Sequence, residues 1–171
     1  NLGDKYNVPA FFSVFNADDA KFIKSIDSNI IKIPSHEVYN NDLIEYCVGN
    51  FFFFFISTGA CYERELISFS EVINNSKKEI IIMHCVSCYP CLPENANLKR
   101  LSTLKKIFPK ALLGLSDHTQ SLIIPAVSAS YESYVIEKHF TIDNDLPGRD
   151  NKFALLPNQF EIMVLHHKEA I

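Results

Sequence analysis

Six short, continuously apolar runs recur along this chain of 171 residues, and each has the length of a buried strand. A strand with one solvated face alternates apolar and polar residues, whereas these runs are apolar on both sets of positions. Runs of this kind are typical of parallel strands that are covered on both faces. The predicted strands are 10–15, 29–33, 51–57, 79–87, 111–116 and 133–139.

Amphipathic helical patterns follow the apolar runs. The predicted helices are 17–26, 62–74, 95–108, 120–131 and 157–170, and Pro125 indicates a kink or a late start in the fourth. Strand followed by helix, repeated along the chain, predicts an α/β fold with a parallel sheet and right-handed crossovers. The first strand is not followed by GxGxxG, and the chain has no P-loop motif, so dinucleotide and P-loop sites are disfavoured.

Polar side chains cluster where the predicted strands end, as Lys32 and Ser57 do. In a closed (β/α)8 barrel every strand delivers its carboxyl end to one mouth, whereas a doubly wound sheet concentrates such residues at one switch point. A TIM-type barrel is therefore favoured. Because a barrel needs eight strands and six are predicted, we expect a fragment with about six βα units; a smaller, complete open sheet is the alternative.

Composition excludes several classes of function. The formal net charge of −4 provides no basic surface for nucleic acid. The longest uncharged run, 46–62, is too short and too polar to span a membrane. Five cysteines, an odd number in a chain without a visible signal peptide, fit reduced thiols in a cytoplasmic protein.

Six segments carry most of the reactive residues. They are KIPSHE (32–37), ISTGA (56–60), HCVSCYPCLPENANL (84–98), GLSDHT (114–119), VIEKHFT (135–141) and LPGRDNKFALLP (146–157). In order and spacing they resemble the barrel domain of the sialic acid synthase (N-acetylneuraminate synthase) family. The resemblance implies a transferase that condenses phosphoenolpyruvate with N-acetylmannosamine or a related 2-acetamido sugar, giving a nonulosonic acid and phosphate. Pseudaminic or legionaminic acid synthesis, and a non-catalytic ligand-binding fragment, are the alternatives.

The resemblance also implies how residues 1–171 relate to a whole enzyme. They match strands three to eight of the family's barrel, so the first two strands and the C-terminal antifreeze-like domain are expected to be absent. The full-length family member is expected to be a domain-swapped homodimer in which an Arg of the antifreeze-like domain reaches the partner's site. We accordingly expect the fragment alone to be inactive.

Two histidines, His118 and His139, end neighbouring predicted strands. Adjacent strand ends lie about 5 Å apart, so both imidazoles can converge on one ion or, alternatively, hydrogen-bond a ligand. The resemblance implies a divalent metal at this pair, most often Mn²⁺, with Mg²⁺ and Co²⁺ as alternatives. Asp117 either orients an imidazole or caps the following helix.

Lys32 interrupts the apolar run IIKI, which indicates that its ammonium faces a polar mouth and an anion. An exposed edge lysine is the alternative. The resemblance implies that phosphoenolpyruvate is bound by Ser13, Lys32, Ser35, Ser57, Ser87 and Ser116. Ser13 stands where the family often has Thr, and Ser87 where it often has Asn.

The resemblance places the amino sugar against Glu37, Tyr89, Glu137 and Asp150. Glu137 precedes His139 by two residues in a strand, so both side chains face the same way. We therefore expect Glu137, with His118 and His139, to be catalytic, as a proton handler or an acceptor for a sugar hydroxyl. Asp150 follows Pro-Gly and could equally be a turn residue.

The CxxCxxC spacing of Cys85, Cys88 and Cys91 suggests a cysteine-ligated metal or redox site, although no fourth cysteine stands at zinc-ribbon spacing. We expect thiols packed around a strand end instead. The adjacent pair His166-His167 is expected to be solvated.

Overall fold

A single parallel sheet organises the computed structural model, which describes residues 2–171. Its six strands follow one another in chain order, and every neighbouring pair is parallel. The parallel α/β prediction is confirmed, and the six strands of residues 2–171 do not have the doubly wound order, because each pairs with the next one along the chain. The strands are β1 Phe12–Ser13, β2 Ile30–Ile33, β3 Phe53–Ser57, β4 Glu79–Cys85, β5 Leu112–Asp117 and β6 Ser133–Lys138.

The helices are α1 Leu2–Tyr6, α2 Ala17–Ser25, α3 Asn41–Asn50, α4 Glu63–Asn75, α5 Arg100–Ile107, α6 Ile124–Ala129 and α7 Pro157–Ala170, with 3₁₀ turns at Ser35–Glu37, Pro93–Asn95 and Arg149–Phe153. Five of the helices, α2 to α6, connect successive strands, whereas α1 precedes β1 and α7 follows β6. The helix α6 starts late, as Pro125 indicated. Within residues 2–171, none of these helices has both the length and the apolar character that a bilayer span requires.

The helix α3 was not predicted, although its local signals are clear in the structure. Asn40 caps it by accepting a hydrogen bond from the backbone N–H of Leu43 at 3.1 Å. Leu43, Ile44 and Cys47 are buried on one face. Because α3 runs directly into the phenylalanine-rich run, the two apolar patterns merge in the sequence.

Burial is complete only in the middle of the sheet. Apart from their first residues, β4 and β5 are buried, which confirms strands covered on both faces. The edge strands differ: both residues of β1 are exposed, with Phe12 at 52%, and most of β6 is half-buried. A continuous apolar run therefore does not distinguish an edge strand from a central one.

The sheet is strongly curved. Lys32 of β2 contacts Glu137 of β6, although β3, β4 and β5 lie between them in the sheet. In a flat sheet these strands would be roughly 19 Å apart, beyond the reach of the two side chains. Phe11 and Phe55 stack with ring centroids 4.9 Å apart. Over residues 2–171 the sheet has β1 and β6 as its edges, so closure into an eight-stranded barrel stays a prediction.

Gly114 in β5 provides a test of how tightly the sheet is packed. A Cβ at this position would lie 2.3 Å from Met83 Sδ and 2.9 Å from the carbonyl oxygen of Val135. Gly114→Ala should therefore lower the free energy of unfolding by about 1–3 kcal/mol, as overpacking does, measured by urea denaturation.

The matched control is Gly49→Ala in α3, where a Cβ would meet nothing within 4 Å. Alanine should stabilise this helix by up to about 1 kcal/mol. Equal unfolding free energies for the two variants would contradict the close packing of β4, β5 and β6.

Candidate active site

A cavity of about 260 Å³ opens at the carboxyl ends of the strands. It collects five of the six predicted phosphoenolpyruvate residues, together with Tyr89 and His118. Its lining is Lys32, Pro34, Ser35, His36, Ser57, Ala60, Cys85, Ser87, Tyr89, Ser116 and His118. Larger surface hollows lie between α4 and α5 and beside β1, but neither is lined by a predicted site residue.

Gly59 allows the ends of β2, β3 and β4 to approach one another. The hydroxyl oxygen of Ser35 accepts a hydrogen bond from the backbone N–H of Gly59 at 3.0 Å. A Cβ on Gly59 would lie 2.7 Å from both Cys85 Sγ and Ser87 Oγ. This position therefore requires glycine because neighbouring side chains occupy the space.

Two serines of the cavity present buried hydroxyls. Ser57 Oγ is buried, and no hydrogen-bond partner for it is found among residues 2–171. Ser116 is also buried, and it lies opposite Glu137 in the register of β5 with β6. Buried hydroxyls are normally paired, so an unpaired one lining a cavity can be satisfied by a ligand.

An ion pair between Lys32 and Glu137 crosses the mouth of the cavity. Burial alone would raise the pKa of Glu137, but the Lys32 charge and the hydrogen bonds from Lys32 and Ser116 outweigh burial and lower it. The carboxylate is therefore ionised at neutral pH. The residue predicted to bind phosphoenolpyruvate thus contacts the residue predicted to bind the sugar.

The paired histidines lie beside this ion pair, with ring centroids 5.3 Å apart. His118 is buried, and its Nδ1 lies 2.8 Å from the carbonyl oxygen of Val86. His139 Nδ1 lies 3.6 Å from a carboxylate oxygen of Asp150. Tyr89 packs on both rings, with centroids 4.1 Å from His118 and 5.8 Å from His139.

Both imidazoles are neutral at pH 7. Burial lowers the pKa of His118 and outweighs the opposing hydrogen bond to Val86. Burial also lowers the pKa of His139, and the neighbouring His118 lowers it further. A carbonyl can only accept, so the neutral His118 donates from Nδ1 and keeps its lone pair on Nε2.

This arrangement fits a metal ion held by two protein ligands. Neutral imidazoles with one nitrogen directed by a carbonyl or a carboxylate are typical of metal-binding histidines. Over residues 2–171, no three His, Cys, Asp or Glu side chains come together as a ready-made metal site. An ion at His118 and His139 would therefore need water or substrate oxygens to complete its coordination.

The three cysteines of the CxxCxxC segment do not share one site. Cys85 is buried in the cavity lining, with its Sγ 3.8 Å from His118 Nδ1. The thiols of Cys88 and Cys91 hydrogen-bond separate carbonyl oxygens, those of Pro90 and Leu92. The three thiols thus have different surroundings rather than a shared one.

Five predicted residues lie outside the cavity lining. Two of them, Glu137 and His139, are next to it through Lys32 and His118; the other three are farther away. Ser13 is exposed on the edge strand β1, where the register places it beside Lys32. Glu37 is half-buried and accepts a hydrogen bond from Asn40 at 3.4 Å. Asp150 is exposed, with a carboxylate oxygen 3.6 Å from His139 Nδ1.

The contacts of Asp117 show that both roles predicted for it, orienting an imidazole and capping the following helix, are wrong. Its Oδ1 accepts from the backbone N–H of Thr119 at 2.9 Å, so it closes a turn instead of capping α6. The imidazole of His118 bonds the Val86 carbonyl and not this carboxylate. Asp117 is paired instead with Lys138, whose Nζ lies 2.5 Å from Oδ2, a partner that sequence reasoning missed.

Arg100 was also missed. From the start of α5 its Nη2 donates to the carbonyl oxygens of Thr58 and Cys61, at 3.1 and 3.2 Å. It thereby holds the loop that follows Ser57. No periodicity or spacing in the sequence points to this contact.

Comparison with curated proteins places the site in context. The chain is 30% identical over 174 residues to N,N'-diacetyllegionaminic acid synthase of Legionella pneumophila, covering 99% of this chain and 49% of that protein. It is 33% identical over 155 residues to pseudaminic acid synthase of Campylobacter jejuni, covering 90% and 45%. The chain thus spans about half the length of the curated relatives it matches.

Solved structures agree. The Bacillus subtilis spore coat polysaccharide biosynthesis protein SpsE superposes with a TM-score of 0.90 at 31% identity, covering 98% of this chain and 48% of that one. N-acetylneuraminic acid synthetase from Leptospira borgpetersenii, in complex with citrate, gives 0.89 at 28%, covering 98% and 58%. A truncated 3-deoxy-D-arabino-heptulosonate 7-phosphate synthase from Thermotoga maritima shares the fold at 0.76 and 16% identity.

The family model for NeuB matches residues 1–171. This match includes all six segments named in the sequence analysis, and with them His118 and His139. The chain belongs to the NeuB family.

Proposed function

We propose that this chain provides the substrate-binding wall of a nonulosonic acid synthase that condenses phosphoenolpyruvate with a 2-acetamido sugar and releases phosphate. One observation carries the proposal: a cation, several serine hydroxyls and the neutral His118 line a single cavity, and the neutral His139 lies next to His118 with ring centroids 5.3 Å apart. The names of the relatives support a synthase of sialic, pseudaminic or legionaminic acid.

Phosphoenolpyruvate suits the serine-lined part of the cavity. Its carboxylate and phosphate need a cation and hydroxyl donors, which Lys32, Ser35, Ser57, Ser87 and Ser116 provide. The unpaired hydroxyl of Ser57 would gain a partner. Holding both anionic groups in register against the sugar supplies catalysis mainly through orientation.

The ion pair of Lys32 and Glu137 couples the two substrates. An arriving phosphoenolpyruvate competes with Glu137 for the ammonium of Lys32. The released carboxylate then lies beside the histidine pair, where it can accept a hydrogen bond or a proton from a sugar hydroxyl. Tyr89, packed on both imidazoles, forms the adjoining wall of the sugar pocket.

His118 and His139 would hold a divalent ion, for which Mn²⁺ is the first candidate and Mg²⁺ and Co²⁺ the alternatives. When bound, the ion polarises the open-chain aldehyde of the sugar as a Lewis acid. The carbonyl of Val86 fixes the tautomer of His118.

The reaction forms one carbon–carbon bond. C3 of phosphoenolpyruvate attacks the aldehyde carbon, and positive charge develops at C2. Water adds at C2, and the phosphate leaves by C–O cleavage, which yields a 2-keto-3-deoxy acid. One proton of the water passes to a base in the cavity, for which the freed Glu137 is the candidate, and from there to the alkoxide formed at the former aldehyde carbon. The other proton leaves with the phosphate when the C–O bond breaks and the C2 ketone forms. Ser13, Glu37 and Asp150 belong to the proposal through the family resemblance, since they lie outside the cavity lining.

A binding module without turnover is the second candidate, because the chain spans about half of its relatives and leaves β1 exposed. Calorimetric titration of phosphoenolpyruvate into this chain, together with phosphate release by the full-length family member over a panel of 2-acetamido sugars with Mn²⁺, separates the two. Binding without phosphate release from any sugar supports the second candidate; absence of binding overturns both.

Lys32→Met should weaken phosphoenolpyruvate binding. Loss of a charge-assisted contact is worth about 1.5–3 kcal/mol, which corresponds to a tenfold to hundredfold rise in Kd. Lys21→Met is the matched control, because it removes an exposed ammonium paired with Asp18 on α2. An unchanged Kd for phosphoenolpyruvate in Lys32→Met would exclude Lys32 as the anion ligand.

His118→Ala and His139→Ala should each abolish Mn²⁺ binding, since one imidazole leaves only a single protein ligand. Binding is measured by the electron paramagnetic resonance signal of free Mn²⁺. In the full-length family member the same variants should also lose condensation, and added Mn²⁺ should not restore it. His166→Ala on α7 is the control and should bind as the unsubstituted chain does. Undiminished binding by the double histidine variant would refute the metal assignment.

A further inference from the structure

We propose that the buried ion pair between Asp117 and Lys138 is a positioning device that sets the separation of His118 and His139. This inference rests on the proposed function, because it assigns the pair a role in metal binding. Both side chains are 2% exposed, and neither lines the cavity.

The strand register places the pair directly behind the histidines. Asp117 lies opposite Lys138 in the parallel pairing of β5 with β6, and Ser116 lies opposite Glu137. Side chains alternate along a strand, so the ion pair lies on the face opposite Ser116 and the cavity. Each charged residue is bonded through the main chain to one histidine.

The pair also fixes the chain on both sides of His118. Lys138 donates to the carbonyl oxygens of Thr119 and Ser121 as well as to Asp117. Asp117 accepts from the backbone N–H and the hydroxyl of Thr119, at 2.9 and 3.1 Å. All three ammonium protons and both carboxylate oxygens are therefore used within one turn, and that turn is tied to β6.

Stability alone gives little reason for a charged pair here. Replacing a buried ion pair by apolar side chains of similar volume is often neutral or stabilising, because the attraction between the two charges recovers little of the free energy lost when they leave water. A buried pair does, however, hold two strand ends in one defined geometry. Two ligands on adjacent strands need such a geometry, because no third side chain of residues 2–171 completes a site around them.

The experiment compares Mn²⁺ affinity and unfolding temperature in the same variants. Asp117→Leu with Lys138→Met removes both charges and keeps the volume, and Asp117→Asn is a milder variant that keeps the acceptor for Thr119. We expect the Kd for Mn²⁺ to rise at least tenfold in the double variant, as for other supports of metal-binding histidines, and to a smaller extent in Asp117→Asn. Lys105→Met with Glu132→Leu, which removes an exposed ion pair, should leave the Kd unchanged.

The affinities are measured well below every unfolding midpoint, so a change in stability alone does not alter them. A lower midpoint with an unchanged Kd would overturn the positioning role and leave the metal assignment intact. If the double variant fails to fold, the Kd of Asp117→Asn decides: a value equal to that of the unsubstituted chain overturns the inference. A folded, unsubstituted chain that binds no Mn²⁺ would overturn the proposed metal site, and the inference with it.

Discussion

The contact between Lys32 and Glu137 shows the constraint on which the site depends, the curvature of the sheet. The two residues belong to strands with three others between them, and only a curved sheet lets their side chains meet. The same curvature turns the carboxyl ends of β2 to β6 toward one volume. Their polar side chains therefore surround a cavity instead of lying in a row along a flat edge. Both charges are balanced by the contact, so neither is left alone in a partly buried place.

Because side chains alternate along each strand, the two faces of the sheet carry different kinds of residue. Residues lining the cavity carry an ammonium, hydroxyls, a thiol and imidazoles, whereas the fully paired Asp117 and Lys138 lie on the opposite face. A site built on strand ends inherits the rigidity of the sheet, because its backbone hydrogen bonds are made inside the ladder. The adjoining loops are fixed by individual bonds, such as those from Arg100 to the carbonyls of Thr58 and Cys61.

Local patterns predicted much of this architecture. The apolar runs located all six strands. The lysine in the run IIKI indicated the polar end of the sheet, because a charged side chain in an apolar strand is costly unless it faces a polar cavity. Patterns could not reveal features that depend on distant residues. The pairing of Lys32 with Glu137 requires the curvature of the whole sheet. His167 was expected to be solvated, but it is buried with its Nδ1 3.0 Å from the carbonyl oxygen of Pro125. Only the packing of α7 on α6 explains that burial.

The sequential strand order has a consequence for how the chain folds. Each strand pairs with the next one along the chain, as Phe12 does with Ile31, so the loops closed at each step are short and inexpensive in entropy. Each pairing still spans a whole crossover, however, and parallel sheets fold slowly for that reason. The contact across the mouth closes a loop of a different size, because Lys32 and Glu137 are 105 residues apart. The cavity is therefore complete only when every strand from β2 to β6 is paired with its neighbour.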